Sequence, residues 1–284
     1  MSAYEINERV PLESPVLLLA LDGWVDAGFG MAQAVEAIID QTEPTVVATF
    51  DPDQFIDYRA RRPIMEIVDG VNTSIGWPSI ELLAVRDLDD NDLLILRGSE
   101  PDSRWRRFVA AVSELIVDLE VHITVTLGAY PAAVPHTRPV RITSTATAAP
   151  LVDPTAVVPG RLEIPAGIQA AIERSVAEAG IPAIGTWAQV PHYAATLPYP
   201  DASARLITSL AERGKRRFDP TELLAAGVRS RGQLDEFVNR SDEHRQLVEE
   251  LESLHDNAGL QADLPTGDEL AAELQRFLRD NEDD

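Results

Sequence analysis

The sequence predicts an α/β three-layer sandwich, with a mixed, largely parallel sheet and a C-terminal helical appendage. Residues 16–21 are an unbroken apolar run, the pattern of a strand buried on both faces. Within about ten residues the apolar period changes from strand to helix, through Met31, Ala34, Val35, Ile38 and Ile39. The same alternation then recurs down the chain until residue 218, which argues for helices laid over a sheet. From Asp219 onward only helical signals remain, so the chain divides into a core at 1–218 and an acidic helical region at 219–284.

Each element has its own reason. Residues 45–51 form a second apolar run, followed by Asp53-Gln54-Phe55-Ile56-Asp57. Residues 64–68 and 80–85 flank the turn-rich Asp69-Gly70-Val71-Asn72-Thr73 and read as an antiparallel pair. Residues 93–96 are another buried strand, ending at Arg97-Gly98-Ser99-Glu100-Pro101. Trp105, Phe108, Val109, Val112, Leu115, Ile116 and Leu119 give the next helix a wide apolar face. Residues 121–127 return to strand and close at Gly128-Ala129-Tyr130-Pro131. Residues 137–145 alternate loosely, and a proline-rich stretch crosses 150–165. Pro165 suits the first turn of a helix carried by Ile168, Ala171, Ile172 and Val176 and stopped by Gly180 and Pro182. Residues 181–187 are the last strand, followed by Pro191-His192-Tyr193 and a helix through Leu206, Ile207 and Leu210.

In the appendage, helix starts are expected at Asp219-Pro220-Thr221-Glu222, Ser230-Arg231-Gly232-Gln233 and Thr266-Gly267-Asp268-Glu269. Leu234, Phe237, Val238, Leu247, Val248, Leu251 and Leu254 fall on one side of the middle helix. This region holds 18 acidic residues against 6 arginines, a net of −12, about half of the chain's −23 in under a quarter of its 284 residues.

Composition excludes several classes of function. Without cysteine there are no disulfides, thiolate nucleophiles or thiolate-bound metals. An excess of 47 acids over 24 bases repels phosphate backbones and anionic lipid, so neither nucleic acid nor a membrane is an expected partner. No apolar stretch is long enough to span a bilayer and no leader is read before Val16, so a cytoplasmic location is expected. No metal-binding spacing, phosphate-binding loop or complete dinucleotide fingerprint appears, so no cofactor is expected.

Four strand-to-loop transitions carry polar or glycine signatures: 22–28, 97–100, 128–138 and 186–192. If their strands are parallel neighbours, these loops meet at one edge, where open α/β folds bind ligands. The candidate cleft is Asp22, Trp24, Asp26, Gly28, Arg97, Glu100, His136, Arg138 and His192. Arg97 could fork onto a carboxylate or phosphate, and Asp22, Asp26 and Glu100 could act as bases or hold a cation. Plainer readings stand beside these: Asp22 and Asp26 suit helix caps, Trp24 suits packing beneath a loop, and Arg97 suits an internal ion pair with Asp22 or Glu100. No complete catalytic set is present, and the catalytic residues are left unassigned.

Leu21-Asp22-Gly23-Trp24-Val25-Asp26-Ala27-Gly28 resembles the opening motif of the proteasome assembly chaperone 2 family. The resemblance continues through Leu96-Arg97-Gly98, Gly128-Ala129-Tyr130, Pro135-His136-Thr137-Arg138-Pro139 and Val190-Pro191-His192-Tyr193, over about residues 14 to 215. It implies a phosphorylase/hydrolase-like fold, similar to purine nucleoside phosphorylase in its core, and a homo-oligomer, with a trimer as the suggested form. Similar proteins of eukaryotes and archaea help assemble or bind proteasome subunits. The arginine-rich, cysteine-free composition fits an actinobacterial member. Relatives that dock on the proteasome by a hydrophobic-tyrosine tail differ from this chain, which ends Asn281-Glu282-Asp283-Asp284.

Two functions follow as expectations. One is a non-catalytic, oligomeric assembly-chaperone-like or binding protein, with proteasome subunits as partners. The other is a small-molecule enzyme at the strand edge, a hydrolase, a phosphorylase-like transferase or an ATP-dependent ligase. For the ligase, the glycine-rich loop with paired magnesium carboxylates is absent from the sequence.

Overall fold

The computed structural model describes residues 2–23 and 25–258. An eight-stranded sheet forms the middle layer. In chain order its strands are β1 (Tyr4–Ile6), β2 (Val16–Asp22), β3 (Thr45–Phe50), β6 (Ile80–Arg86), β7 (Asp92–Ser99), β8 (Ile123–Ala132), β9 (Ile142–Ala146) and β10 (Ala183–Pro191), while β4 (Ile64–Val68) and β5 (Val71–Gly76) stand apart. The spatial order is β1-β3-β6-β7-β2-β8-β10-β9. β7, β2, β8 and β10 run parallel at the centre, and the flanking pairings are antiparallel. The sheet is therefore mixed and parallel where the core is deepest, as the apolar run of β2 requires.

β2 shows how the layers form. Its side chains alternate between faces, and both faces are covered. Val16, Leu18 and Ala20 pack with α1 (Gly30–Asp40) and α5 (Pro200–Gly214). Leu17, Leu19 and Leu21 pack with α3 (Trp105–Asp118) and α4 (Ile168–Glu178). All six are buried, and each leucine so removed from water contributes about 1.5–3 kcal/mol. A short α2 (Pro52–Phe55) sets Phe55 against Phe108 of α3.

Four expectations need correction. The strand at 64–68 does not pair with the strand at 80–85; β4 pairs with β5, and β6 lies in the main sheet between β3 and β7. Asp69 and Gly70 both take positive φ (50° and 84°), the geometry of a tight two-residue hairpin turn. That turn joins Val68 directly to Val71 and consumes the segment read as a loop. α4 begins at Ile168 and not at Pro165, where Oε1 of Glu100 accepts the Ile168 amide at 2.7 Å. The last strand continues to Pro191 because β8 beside it continues to Ala132. Finally, Ser230-Arg231-Gly232-Gln233 does not start a helix.

That segment lies inside α6 (Thr221–Val238), which runs on to a break at 239–241 before α7 (Asp242–Ala258). α6 does start at the expected place, with Asp219 Oδ1 accepting the Thr221 amide at 2.9 Å. Of the apolar side read as one helix, Leu234, Val238, Val248 and Leu251 are buried, whereas Phe237 and Leu254 are exposed. The start expected at Thr266 lies outside the described residues.

The β4–β5 hairpin is exposed along its whole length. Tyr58 and Trp77 meet edge-to-face at its root, with ring centroids 5.0 Å apart. Arg61 Nε, 3.1 Å from Asp102 Oδ1, ties the same root to the core.

Candidate functional site

The candidate residues fall into three groups, each positioned by different elements. Asp22 and Arg97 line one open depression of about 520 Å³ between α1 and the end of β7, together with Glu36, Asp40 and Ser79. Asp26, Gly28, Glu100, His136, Arg138 and His192 do not line it. Desolvation raises the Asp22 carboxyl above its ordinary value, and Arg61 opposes this. Arg97 does not pair with Asp22 or Glu100. It stands opposite Glu81 in the β6–β7 register, and its Nη2 lies 3.1 Å from Glu81 Oε2. A cross-strand ion pair of this kind is a local consequence of register.

Asp26, Gly28 and Glu100 form a second group that builds the scaffold. Asp26 Oδ1 accepts the Met31 amide at 2.8 Å and Oδ2 the Ala32 amide at 3.0 Å, capping α1 across the turn of 27–29. Burial pushes its carboxyl up, and these amides pull it back. Gly28 has φ +64°, and a Cβ there would stand 2.6 Å from Cβ of Tyr199. Its amide donates to Ala195 O at 2.7 Å and its carbonyl accepts from the Tyr199 amide at 2.8 Å, so this turn is sewn to the start of α5. Glu100 is spent on the α4 terminus. Trp24 lies outside the described residues.

His136, Arg138 and His192 make the third group, where the loops after β8 and β10 meet the appendage. His136 is buried. Its Nδ1 lies 2.7 Å from the Tyr193 hydroxyl and its Nε2 3.1 Å from Asp235 Oδ1 on α6. The hydroxyl also accepts the His136 amide at 2.9 Å. The carboxylate can only accept, so Nε2–H donates to Asp235, while Nδ1 meets the tyrosine hydroxyl, a group able to donate or accept. Burial, then Glu252 and Asp235, push the Tyr193 hydroxyl up to about 12, so it stays protonated. Arg138 forks onto Asp256 of α7 at 2.9 and 2.7 Å and reaches Glu252 at 3.0 Å. His192 is exposed, with its ring 5.3 Å from that of Tyr193.

Asp235, Glu252, Asp256 and Glu81 were not singled out in the sequence. Asp235 is 99 residues from His136 and Asp256 is 118 from Arg138, and no local spacing announces such pairs. Tyr193 sits in a quoted motif, but its bond to His136 is likewise tertiary. Groups that met in pairs and caps dominate the edge. Acid–base chemistry needs a free group within hydrogen-bond reach of a substrate, and the depression beside Asp22 offers open volume for one.

A second surface is left uncovered among the described residues. Ile64, Met65, Ile67, Val68, Val71 and Ile75 of the hairpin are all exposed, Ile64 by 75% and Val71 by 62%. A two-stranded hairpin is at best marginal in water by itself, and apolar patches of this kind mark interaction sites.

Comparison with known proteins places this architecture. The model of the PAC2 family matches residues 20–238. A Corynebacterium glutamicum protein of unknown function is 31% identical over 90% of this chain and 97% of its own, with a TM-score of 0.85. A Mycobacterium tuberculosis proteasome-assembly chaperone homologue is 31% identical over 82% of this chain and 99% of its own, with a TM-score of 0.75. A PAC2 family protein from Streptomyces avermitilis is 30% identical over 82% and 99%, with a TM-score of 0.74. None of the curated proteins compared matches the chain.

Proposed function

The chain belongs to the PAC2 family, and from that premise we propose that it is a self-associating, non-catalytic binding protein of the assembly-chaperone type. The observation that carries this reading is the exposed apolar hairpin. Its occupant is a second copy of the chain. With a net charge of −23, two bodies of this protein repel each other. Residues 57–78 carry three arginines against three acids, no net charge, and so form a neutral arm on which copies can meet. Proteasome subunits are the proposed client, on the strength of 31% identity to the mycobacterial assembly-chaperone homologue.

Sedimentation velocity of the full chain tests this. A stable oligomer at micromolar concentration is expected, reduced to monomer by Ile67→Ser with Val71→Ser. A wild-type monomer at that concentration overturns self-association. Recovery of proteasome subunits on the immobilised oligomer tests the client separately.

Catalysis at the strand edge is the second reading, supported by the open depression that holds Asp22 and Arg97. A small-molecule turnover abolished by Asp22→Asn in folded protein would replace the first reading with this one.

A further inference from the structure

The connection from β9 to α4 contains a strand-like segment that has no sheet. Residues 157–166 are all exposed. Val158 and Ile164 each precede a proline, which keeps them out of the helical region and favours an extended backbone. Between the prolines, Leu162 and Ile164 alternate with Arg161 and Glu163, the period of a strand. The side chains agree: Arg161 Nη2 lies 2.5 Å from Glu163 Oε1, as residues two apart on one face of an extended chain can. Leu162 and Ile164 are 63% and 67% exposed. Among the described residues, no main-chain hydrogen bond joins 157–166 to another main-chain group.

The β4–β5 hairpin is its complement. It is a two-stranded sheet, so the outer edge of each strand presents unpaired main-chain groups, and both of its faces are exposed. The two segments rise from one loop. Asp102 Oδ1 holds Arg61 Nε at the hairpin root at 3.1 Å, and Oδ2 accepts the Asp57 amide at 2.9 Å. Two residues earlier, Glu100 Oε1 accepts the Ile168 amide, just beyond the extended segment, at 2.7 Å. A second copy that reaches the hairpin therefore has the extended segment within its reach. That segment carries one arginine and one glutamate, so it is as free of net charge as the hairpin, on a chain of −23.

We propose that residues 160–164 of one copy add as a third strand to an edge of the β4–β5 hairpin of another, main chain to main chain, with Leu162 and Ile164 laid against the hairpin's apolar side chains. Within one chain the two do not pair. Addition in trans gives hydrogen bonds to both unpaired backbones and covers two apolar surfaces at once. Three strands with an apolar face are stable in water where two are marginal. Pro159 and Pro165 lack the amide and bound the added strand at its two ends. This inference rests on the self-association reading and names the surface that the hairpin meets.

The chain has no cysteine, so introduced thiols can be crosslinked without background. Full-length Leu162→Cys and Ile75→Cys chains, each with its own tag, are produced together and treated with a short bismaleimide. A crosslinked pair carrying both tags, joined through peptides containing positions 162 and 75, is expected. An oligomer whose only crosslinks join Ile75→Cys to Ile75→Cys, or which gives none, overturns strand addition and leaves self-association standing. A wild-type monomer removes both. Proline substitution serves if the cysteine variants do not associate. Neighbouring amides of a strand point to opposite sides, so Leu162→Pro and Glu163→Pro between them remove one pairing donor. One of the two should weaken association about tenfold or more, while Glu163→Ala, which keeps its amide, should not. Association as tight as wild type in both proline variants overturns the proposal.

Discussion

Asp235 Oδ1 on α6 lies 3.1 Å from Nε2 of His136, in a loop 99 residues earlier, and thereby anchors the appendage to the core. The imidazole is buried, so its N–H has no water to fall back on. Asp235→Ala should lower the unfolding free energy by about 1–3 kcal/mol, the cost of leaving a buried donor unsatisfied. Asp235→Asn keeps an acceptor and should lose less. Urea denaturation of the three proteins checks the order, and equal stability of wild type and Asp235→Ala would remove the anchor.

Asp26 satisfies two amides at the start of α1 with one carboxylate. Asp26→Ala should cost about 1–2 kcal/mol, at the upper end for a helix cap. Amide exchange at Met31 and Ala32 should accelerate while exchange in β2 stays slow. Unchanged exchange at those two amides would contradict the capping role.

Two glycines should respond in opposite directions to alanine. Gly28 combines a φ of +64° with a Cβ position 2.6 Å from Tyr199, so Gly28→Ala should destabilise by about 1–3 kcal/mol. Gly232 lies within α6 with nothing near its Cβ position. Gly232→Ala should stabilise by up to about 1 kcal/mol through helix propensity. Melting temperatures of the two variants settle the comparison.

Arg138 holds the Asp256 carboxyl down to about 2, from 3.8, mainly through its hydrogen bond. A carboxyl depressed in the folded state contributes stability above its unfolded pKa, and this is lost as pH falls through the folded value. The Arg138–Asp256 contribution to α7 docking should therefore be complete above about pH 4 and fade toward pH 2. Asp256 is open to solvent, so the effect is small. An NMR titration should find Asp256 near 2 in the wild type and near 3.8 in Arg138→Ala; the same value in both would exclude the pairing.

Local pattern made much of this protein legible. The doubly covered β2, the apolar faces of α1, α3 and α5, and the start of α6 at Asp219 follow from periodicity and caps, which operate over a few residues. The hairpin was legible in principle, since Asp-Gly at 69–70 is a turn signal. Strand pairing was assigned to 80–85 because alternation says which residues are strand but not which strand they join.

The candidate edge divides along the same line. That strands end near Asp22 and Arg97 was set by sequence, because apolar runs stop there, whereas β8 and β10 run on together past their expected ends to Ala132 and Pro191. What each polar group does was decided by tertiary contact: Asp26 and Glu100 became caps, Arg97 met Glu81, and His136 and Arg138 met helices about a hundred residues away. Propensity and periodicity are short-ranged, so the sequence by itself determined elements and layers. Charge pairing and burial depend on which surfaces meet, and those only the folded chain decides.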